Sequence, residues 1–222
     1  MYDKKNLIGL IASIATVITA IGGLIIFLNE HDWFSDLFEK VDKPHFKEEF
    51  LDNRNDWLLE ETDCHIYKIL NKKLYVTSNQ KGTCNIGWTN TWSNKISLKY
   101  FYPKYEINVT CDLISGNKDV PYGFILLNKD EFYKINYYSN GTTNLDYFKE
   151  MSIIESTSIQ DSKSKSKVKL SLLISGSSYK YYVNKKFIEQ GDFRFYDFSS
   201  IRLFASSTQT VEFEKVEITF SD

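Results

Sequence analysis

The run Glu212-Phe-Glu214-Lys-Val-Glu217 is the part of the sequence whose residue types and spacing come nearest to a reaction. On a strand, residues two apart share a side, so Glu212 and Glu214 point the same way. Two carboxylates about 5 Å apart can act as nucleophile and general acid/base in retaining glycoside hydrolysis. The same spacing has a plainer reading. Alternation sends Val211 and Phe213 inward, and Val216 and Ile218 too if a bulge intervenes, leaving the glutamates on the wet side. Alternation alone explains the pattern, so no catalytic residue is assigned.

Other chemistries lack their parts. A Ser-His-Asp set needs a histidine, and His31 and His45 precede the region where only His65 is found. Gly82, Gly87, Gly116 and Gly123 are scattered and form no phosphate loop. Cys64, Cys84 and Cys111 show no metal-ligand spacing. Asp112, Asn117 and Asp119 offer oxygen ligands near a loop, but Asn and Asp are ordinary turn formers. No metal and no cofactor are expected. Cys111 falls on the apolar side of Ile107–Leu113 and reads as a core residue. Cys64 and Cys84 can pair only in an oxidising compartment, and their separation in sequence does not establish the distance a disulfide needs.

Sugar binding asks for something different: aromatic rings for the apolar face of a pyranose and planar polar side chains for its hydroxyl edge. Trp88-Thr-Asn90-Thr-Trp92 reads as a loop carrying two of the four tryptophans with an amide between them. Tyr137, Tyr138 and Asn140 form a second cluster at a hairpin tip. Large aromatics also fill cores, so each cluster has a purely structural alternative.

The elements that must position these side chains are strands. From Phe46 onward the apolar residues recur with period two: Lys73–Thr77, Ile96–Tyr100, Tyr105–Leu113, Gly123–Leu127, Phe132–Tyr138, Val168–Ile174, Tyr179–Val183, Ile201–Ala205 and Val211–Phe220. Asn71-Lys72, Asn140-Gly141 and Asn184-Lys185 are turn signals between them. Ser162–Lys167 is a low-complexity polar run suited to an exposed loop. No long helical period follows residue 45. The expectation is an all-β, two-sheet antiparallel sandwich.

Several segments resemble the concanavalin A-like jelly-roll superfamily, within it the laminin-G-like and 3-keto-disaccharide-hydrolase-like branch. They are Phe46-Lys-Glu-Glu-Phe50, Asn55-Asp-Trp57 and Ile69–Val76, then Tyr122–Ile125 with Phe132–Ile135, Tyr181–Asn184 with Phe187-Ile188, and Ile201–Ala205 with Val211–Ile218. The resemblance runs over residues 46–222 and implies two packed, curved antiparallel sheets. It carries no catalytic motif across. The carboxylates of jelly-roll glycosidases sit mid-chain, whereas Glu212 and Glu214 lie at the end.

Ahead of this domain, Leu7 to Leu28 contains no charged residue. At about 1.5 Å per residue it reaches roughly 33 Å, enough for a bilayer core of about 30 Å. It lacks a small-residue cleavage site at its end, so residues 1–30 read as one uncleaved transmembrane α-helix. Lys4 and Lys5 before the span place the N-terminus in the cytoplasm and the β domain outside. Gly9, Ala12, Ser13, Thr16, Thr19, Ala20 and Gly23 form a small-residue stripe that can pack another helix. Such residues are also common in spans that pack nothing. Residues 31–45 follow as an amphipathic juxtamembrane linker with Trp33, Phe34, Leu37, Phe38 and Val41 on one face.

With 27 basic and 29 acidic residues the chain has a formal net charge of −2, which gives nucleic acid no electrostatic footprint. The expected partners are the lipid bilayer, a glycan or protein ligand, and a second copy or partner membrane subunit through the helix. The expected function is a membrane-anchored, non-catalytic binding module. A subunit of an oligomeric membrane assembly (scaffold, sensor or defence-type effector) is the alternative, and a glycoside hydrolase the second alternative.

Overall fold

Alternation along each strand builds the molecule. In Lys73–Ser78 the side chains of Leu74, Val76 and Ser78 are buried while Lys73, Tyr75 and Thr77 are half-buried. The same beat recurs in Thr142–Lys149 and Ser178–Val183, and it sorts residues into a face toward a shared core and a face away from it. The computed structural model describes residues 46–79, 88–93, 104–160, 165–194 and 198–221. The expected span, its small-residue stripe and the linker fall on residues 1–45 and lie outside the described residues. Among the described residues no helix is long and apolar enough to cross a membrane.

The strands in chain order begin with β1 (Phe46–Glu48), β2 (Glu60–Glu61), β3 (His65–Leu70), β4 (Lys73–Ser78) and β5 (Trp88–Ser93). The middle of the chain gives β6 (Lys104–Ser115), β7 (Tyr122–Asn128), β8 (Glu131–Tyr137), β9 (Thr142–Lys149) and β10 (Ser152–Gln160). The last five are β11 (Lys167–Ser175), β12 (Ser178–Val183), β13 (Lys186–Asp192), β14 (Ser200–Ser206) and β15 (Gln209–Ser221). They form two antiparallel sheets. The nine-stranded sheet runs β13-β12-β11-β6-β15-β4-β3-β2, with β1 on β15; the six-stranded sheet runs β10-β9-β8-β7-β14-β5. Neighbours such as β6 and β15, or β7 and β14, are far apart in sequence. That is the crossing pattern of a jelly-roll sandwich.

Hairpin turns take the backbone conformations their residues favour. Asn71-Lys72 and Asn184-Lys185 have positive φ at both positions, as two-residue hairpin turns of the primed type require. Glu150-Met151, which carries no such sequence signal, does the same between β9 and β10. Gly123, with φ +153°, sits against β8 so closely that a Cβ would collide with the Ile135 carbonyl oxygen.

One apolar cluster fills the space between the sheets. Leu74, Val76, Ile107, Val109, Cys111, Leu170, Leu172, Val211, Phe213, Val216 and Ile218 enter it from the nine-stranded sheet. Phe124, Leu126, Tyr133, Ile135, Tyr137, Leu145, Tyr147, Ile201, Leu203 and Ala205 enter from the six-stranded sheet. The register of β15 on β6 shifts between Phe213 and Lys215, which is the bulge that lets Val216 and Ile218 stay inward. Cys111 is free and fully buried, as its apolar position implies. Cys64 is disulfide-bonded; Cys84 lies outside the described residues.

The segment before β2 is pinned by a buried carboxylate. Glu48, 3% exposed, accepts hydrogen bonds from the Phe50 backbone N–H at 2.6 Å, Asn55 Nδ2 at 2.6 Å and Trp57 Nε1 at 3.0 Å. Three donors satisfy a charge that burial would otherwise penalise.

Candidate functional site

The six-stranded sheet has a second face, turned away from the core, and the strand register arranges it in rows. Cross-strand partners line up as Trp92, Arg202, Ile125, Lys134, Asp146 and Ser156, on β5, β14, β7, β8, β9 and β10 respectively. The next row, two residues along each strand, reads Asn90, Phe204, Gly123, Asn136, Asn144 and Ser158. On the other side lie Ser200, Leu127, Phe132, Phe148 and Ile153. A mixed charged row thus runs between an amide row and an apolar row.

The side chains of this face hold one another in place. The Arg202 guanidinium lies over the Trp92 ring, 5.2 Å from its centroid, and Lys134 Nζ lies 4.6 Å from the centroid of Phe204. Asp146 accepts hydrogen bonds from Asn136 Nδ2 at 2.6 Å and from the Ser156 hydroxyl. Ile125, Phe132 and Phe204 form a small apolar cluster separate from the main core, with Leu127 and Phe148 packed on it.

Four buried polar atoms on this face, Asn90 Oδ1, Asn136 Oδ1, Asn144 Oδ1 and Arg202 Nε, have no hydrogen-bond partner among the described residues. Native interiors satisfy such atoms, and each unsatisfied one costs about 1–3 kcal/mol. Grouped on one surface beside an aromatic ring, they form a set of hydrogen-bonding positions for a polar ligand. Burial also acts on the cations: it pulls Lys134 down to about 8, against a smaller opposing pull from Asp146, and lowers Arg202. An apolar cavity of about 520 Å³ opens at the end of the face, lined by Ile125, Leu127, Phe132, Met151 and Arg202 among others.

The residues singled out in the sequence divide. Trp88, Asn90 and Trp92 do not form a loop: they lie on β5, the edge strand, paired with Ser206, Phe204 and Arg202 of β14. Thr89, Thr91 and Ser93 point inward and are buried, so alternation gives Asn90 and Trp92 to the outer face. Tyr137 is not available to a ligand. It is fully buried in the main core and packs edge-on against Tyr122 at 5.7 Å, because its position on β8 has the inward parity of Tyr133 and Ile135. Tyr138 is half-buried, its hydroxyl pushed up by burial and then by the charge of Asp146. Asn140 is exposed and serves the hairpin: its Oδ1 accepts from the Thr142 N–H and its Nδ2 donates to Asp119.

Arg202, Lys134, Asn136, Asn144 and Asp146 were not singled out in the sequence. The signal was present as single polar residues at alternate positions of otherwise apolar strands, but it matters only once the strands are ordered side by side.

The acidic run of β15 lies on the outer face of the other sheet. Glu212 is 5% exposed and receives Lys73 Nζ at 2.5 Å and the Tyr75 hydroxyl at 2.8 Å. Glu214 receives Lys167 Nζ at 2.6 Å and lies 3.5 Å from Lys73 Nζ. The Lys167 hydrogen bond holds the Glu214 carboxyl below the usual range, and the Glu212 hydrogen bond raises Lys73. Asn117 and Asp119 are likewise engaged, with Asn117 Oδ1 bonded to the Asp119 N–H and Asp119 to Asn140. Among the described residues no group of three or more His, Cys, Asp or Glu side chains is placed to hold a metal ion.

No family model and no curated protein matches the chain. Solved structures do. The carbohydrate binding module CBM66 from Bacillus subtilis is similar over 73% of this chain and 94% of its own, with a TM-score of 0.55 and 15% identity. A Bacillus licheniformis beta-glucanase matches over 81% of this chain and all of its own, with a TM-score of 0.58 and 11% identity. An endo-beta-1,3-glucanase from Pyrococcus furiosus matches over 80% and 94%, with a TM-score of 0.57 and 10% identity. The jelly-roll fold of carbohydrate-binding modules and glycoside hydrolases is therefore also the fold of this chain. At these identities the likeness is one of fold.

Proposed function

We propose that the protein is a non-catalytic glycan-binding module whose ligand lies across the outer face of the six-stranded sheet. The observation that carries this reading is the set of buried, unpartnered polar atoms on Asn90, Asn136, Asn144 and Arg202, facing the same way as the Trp92 ring. Amides and a guanidinium suit sugar hydroxyls, and an indole suits the apolar face of a pyranose. Of the paired positions of this face named above, Asp146 alone is a carboxylate, and both its oxygens are engaged. A glycosidase needs two carboxylates across the scissile bond. Glu212 and Glu214 lie on the opposite side of the sandwich in ion pairs, which favours binding over hydrolysis. The named folds of the structural neighbours add weight, since one is a carbohydrate-binding module and the others act on glucans.

The span at residues 7–28 holds this domain at a membrane, and the disulfide at Cys64 favours the oxidising side of it. The test is a glycan array probed with the detergent-purified full-length chain and with Trp92→Ala. Retention of an oligosaccharide by the first and its loss by the second is expected. No retained glycan rejects the reading.

A second reading, a subunit of a membrane assembly, is favoured by β10. Among the described residues this edge strand has one paired neighbour, and it exposes Ile153 at 59% and Ile154 at 51%, next to Met151 at 77%. Its single charge is Glu155, so little guards it against pairing. A monomeric mass in mild detergent rejects this second reading.

A further inference from the structure

We infer that the glycan taken by this face is acidic, carrying a carboxylate or sulfate ester that seats on Arg202. This rests on the reading of the face as a glycan site and names the class of sugar it selects.

The argument starts from Arg202. It reaches the outer face from the middle of β14, between Leu203 and Ile201, which point into the core. Its Nε is buried with no acceptor among the described residues. A guanidinium is always charged and presents its donors in a planar fork, which matches the two oxygens of a carboxylate or sulfate. A sugar hydroxyl can accept one hydrogen bond from it but leaves the charge uncompensated. The Trp92 ring stands beside it, its centroid 5.2 Å from the guanidinium carbon.

A second cation stands in the same row. Lys134 is separated from Arg202 by Ile125, which brings no charge. The ionisable group facing Lys134 from β9 is Asp146, opposite it in register and bonded to Asn136 and Ser156. Lys129, Asp130 and Glu150 stand at the turns around the adjoining cavity. The row itself therefore carries two cations and one carboxylate. Burial disfavours the charged form of both cations, and an arriving anion reverses that disadvantage. A neutral sugar does not. The amides of Asn90, Asn136 and Asn144 remain for the hydroxyls.

The deciding experiment measures equilibrium binding of the full-length chain to matched oligosaccharide pairs. One arm sets oligouronates against their carboxyl-reduced forms; the other sets sulfated galactan oligomers against desulfated ones. The expected result is a preference of about tenfold or more for the acidic member in one arm, which also tells carboxylate from sulfate. Arg202→Gln should abolish the preference and Arg202→Lys should keep part of it, each with its thermal transition checked. Should Arg202→Gln fail to fold, Lys134→Met should still reduce the preference. Equal binding of acidic and neutral members overturns the inference and leaves the glycan reading standing. So does a preference that survives in folded Arg202→Gln. Failure to bind any glycan, neutral arrays included, removes both.

Discussion

The Arg202 guanidinium lies 5.2 Å from the centroid of the Trp92 ring, across the pairing of β14 with the edge strand β5. Of the two, Trp92 stands out in the sequence as a ring suited to sugar. Arg202 shows its use only through the ring it lies on. Cation–π contacts of this kind are worth about 0.5–1 kcal/mol at exposed sites. Trp92→Ala should therefore cost about 1 kcal/mol of stability but at least about tenfold in glycan affinity, since the proposed site uses the ring both to stack on sugar and to support Arg202. Calorimetric titration beside chemical denaturation separates the two. Unchanged affinity would remove Trp92 from the site.

Glu212→Gln and Glu214→Gln should leave glycan binding untouched, because both glutamates lie on the far sheet face with Lys73 and Lys167. Their effect should fall on stability. The Glu214 pKa is lowered from 4.5, so its pairing contributes fully above that value and is lost as pH falls through the folded value. In Glu214→Gln, the acid limb of the stability curve should flatten.

Lys134 gives the proposed glycan face a titration of its own. Burial lowers its pKa from 10.5 to about 8, and Asp146 opposes the fall. Below about 8 the lysine is charged in both states and the folded state bears the full desolvation penalty. As pH rises from about 8 toward 10.5, only the unfolded state holds the proton, so this contribution favours folding increasingly. Binding of an acidic glycan should run the other way and weaken as pH rises through about 8, with Arg202 still charged. Affinity measured across that range should lose its step in Lys134→Met.

Losing the buried Glu48 carboxylate should be costly. Glu48→Ala strands the Phe50 N–H, Asn55 Nδ2 and Trp57 Nε1 in a buried pocket. The expected loss is about 2–4 kcal/mol by urea denaturation. Glu48→Gln keeps one acceptor oxygen and should lose less. A loss within about 0.5 kcal/mol for the alanine variant would show that the pocket relaxes or admits water.

The cysteines should differ in their chemistry. Cys111 is fully buried and burial raises its thiol far above the ordinary range, so it should resist alkylation in the folded protein and react on unfolding. Cys64 should be protected from alkylation until reductant is added. Mass spectrometry of peptides alkylated before and after reduction reads both.

The sequence by itself determined the class of fold and many of the inward residues. Period-two alternation is a local property, so Leu74, Val76, Ile107, Val109, Val211 and Phe213 were legible as core from their spacing alone. The turns at Asn71-Lys72 and Asn184-Lys185 were legible for the same reason, since positive φ is a local demand on residue type. Local pattern misjudged Trp88–Trp92 as a loop, because threonine and asparagine between tryptophans do not look like the apolar side of a strand; here the inward positions are Thr89 and Thr91, which the sandwich buries. It grouped Tyr137 with Tyr138 and Asn140, although adjacent strand residues face opposite ways. Only the tertiary structure decided which outward residues meet. Trp92, Arg202, Lys134 and Asp146 come from four strands spread over residues 88–206, and their row exists because β14 pairs with β5 and β7 rather than with its neighbours in sequence. Strand order is set by how two sheets close over one core, a global balance of burial that no short window of residues contains.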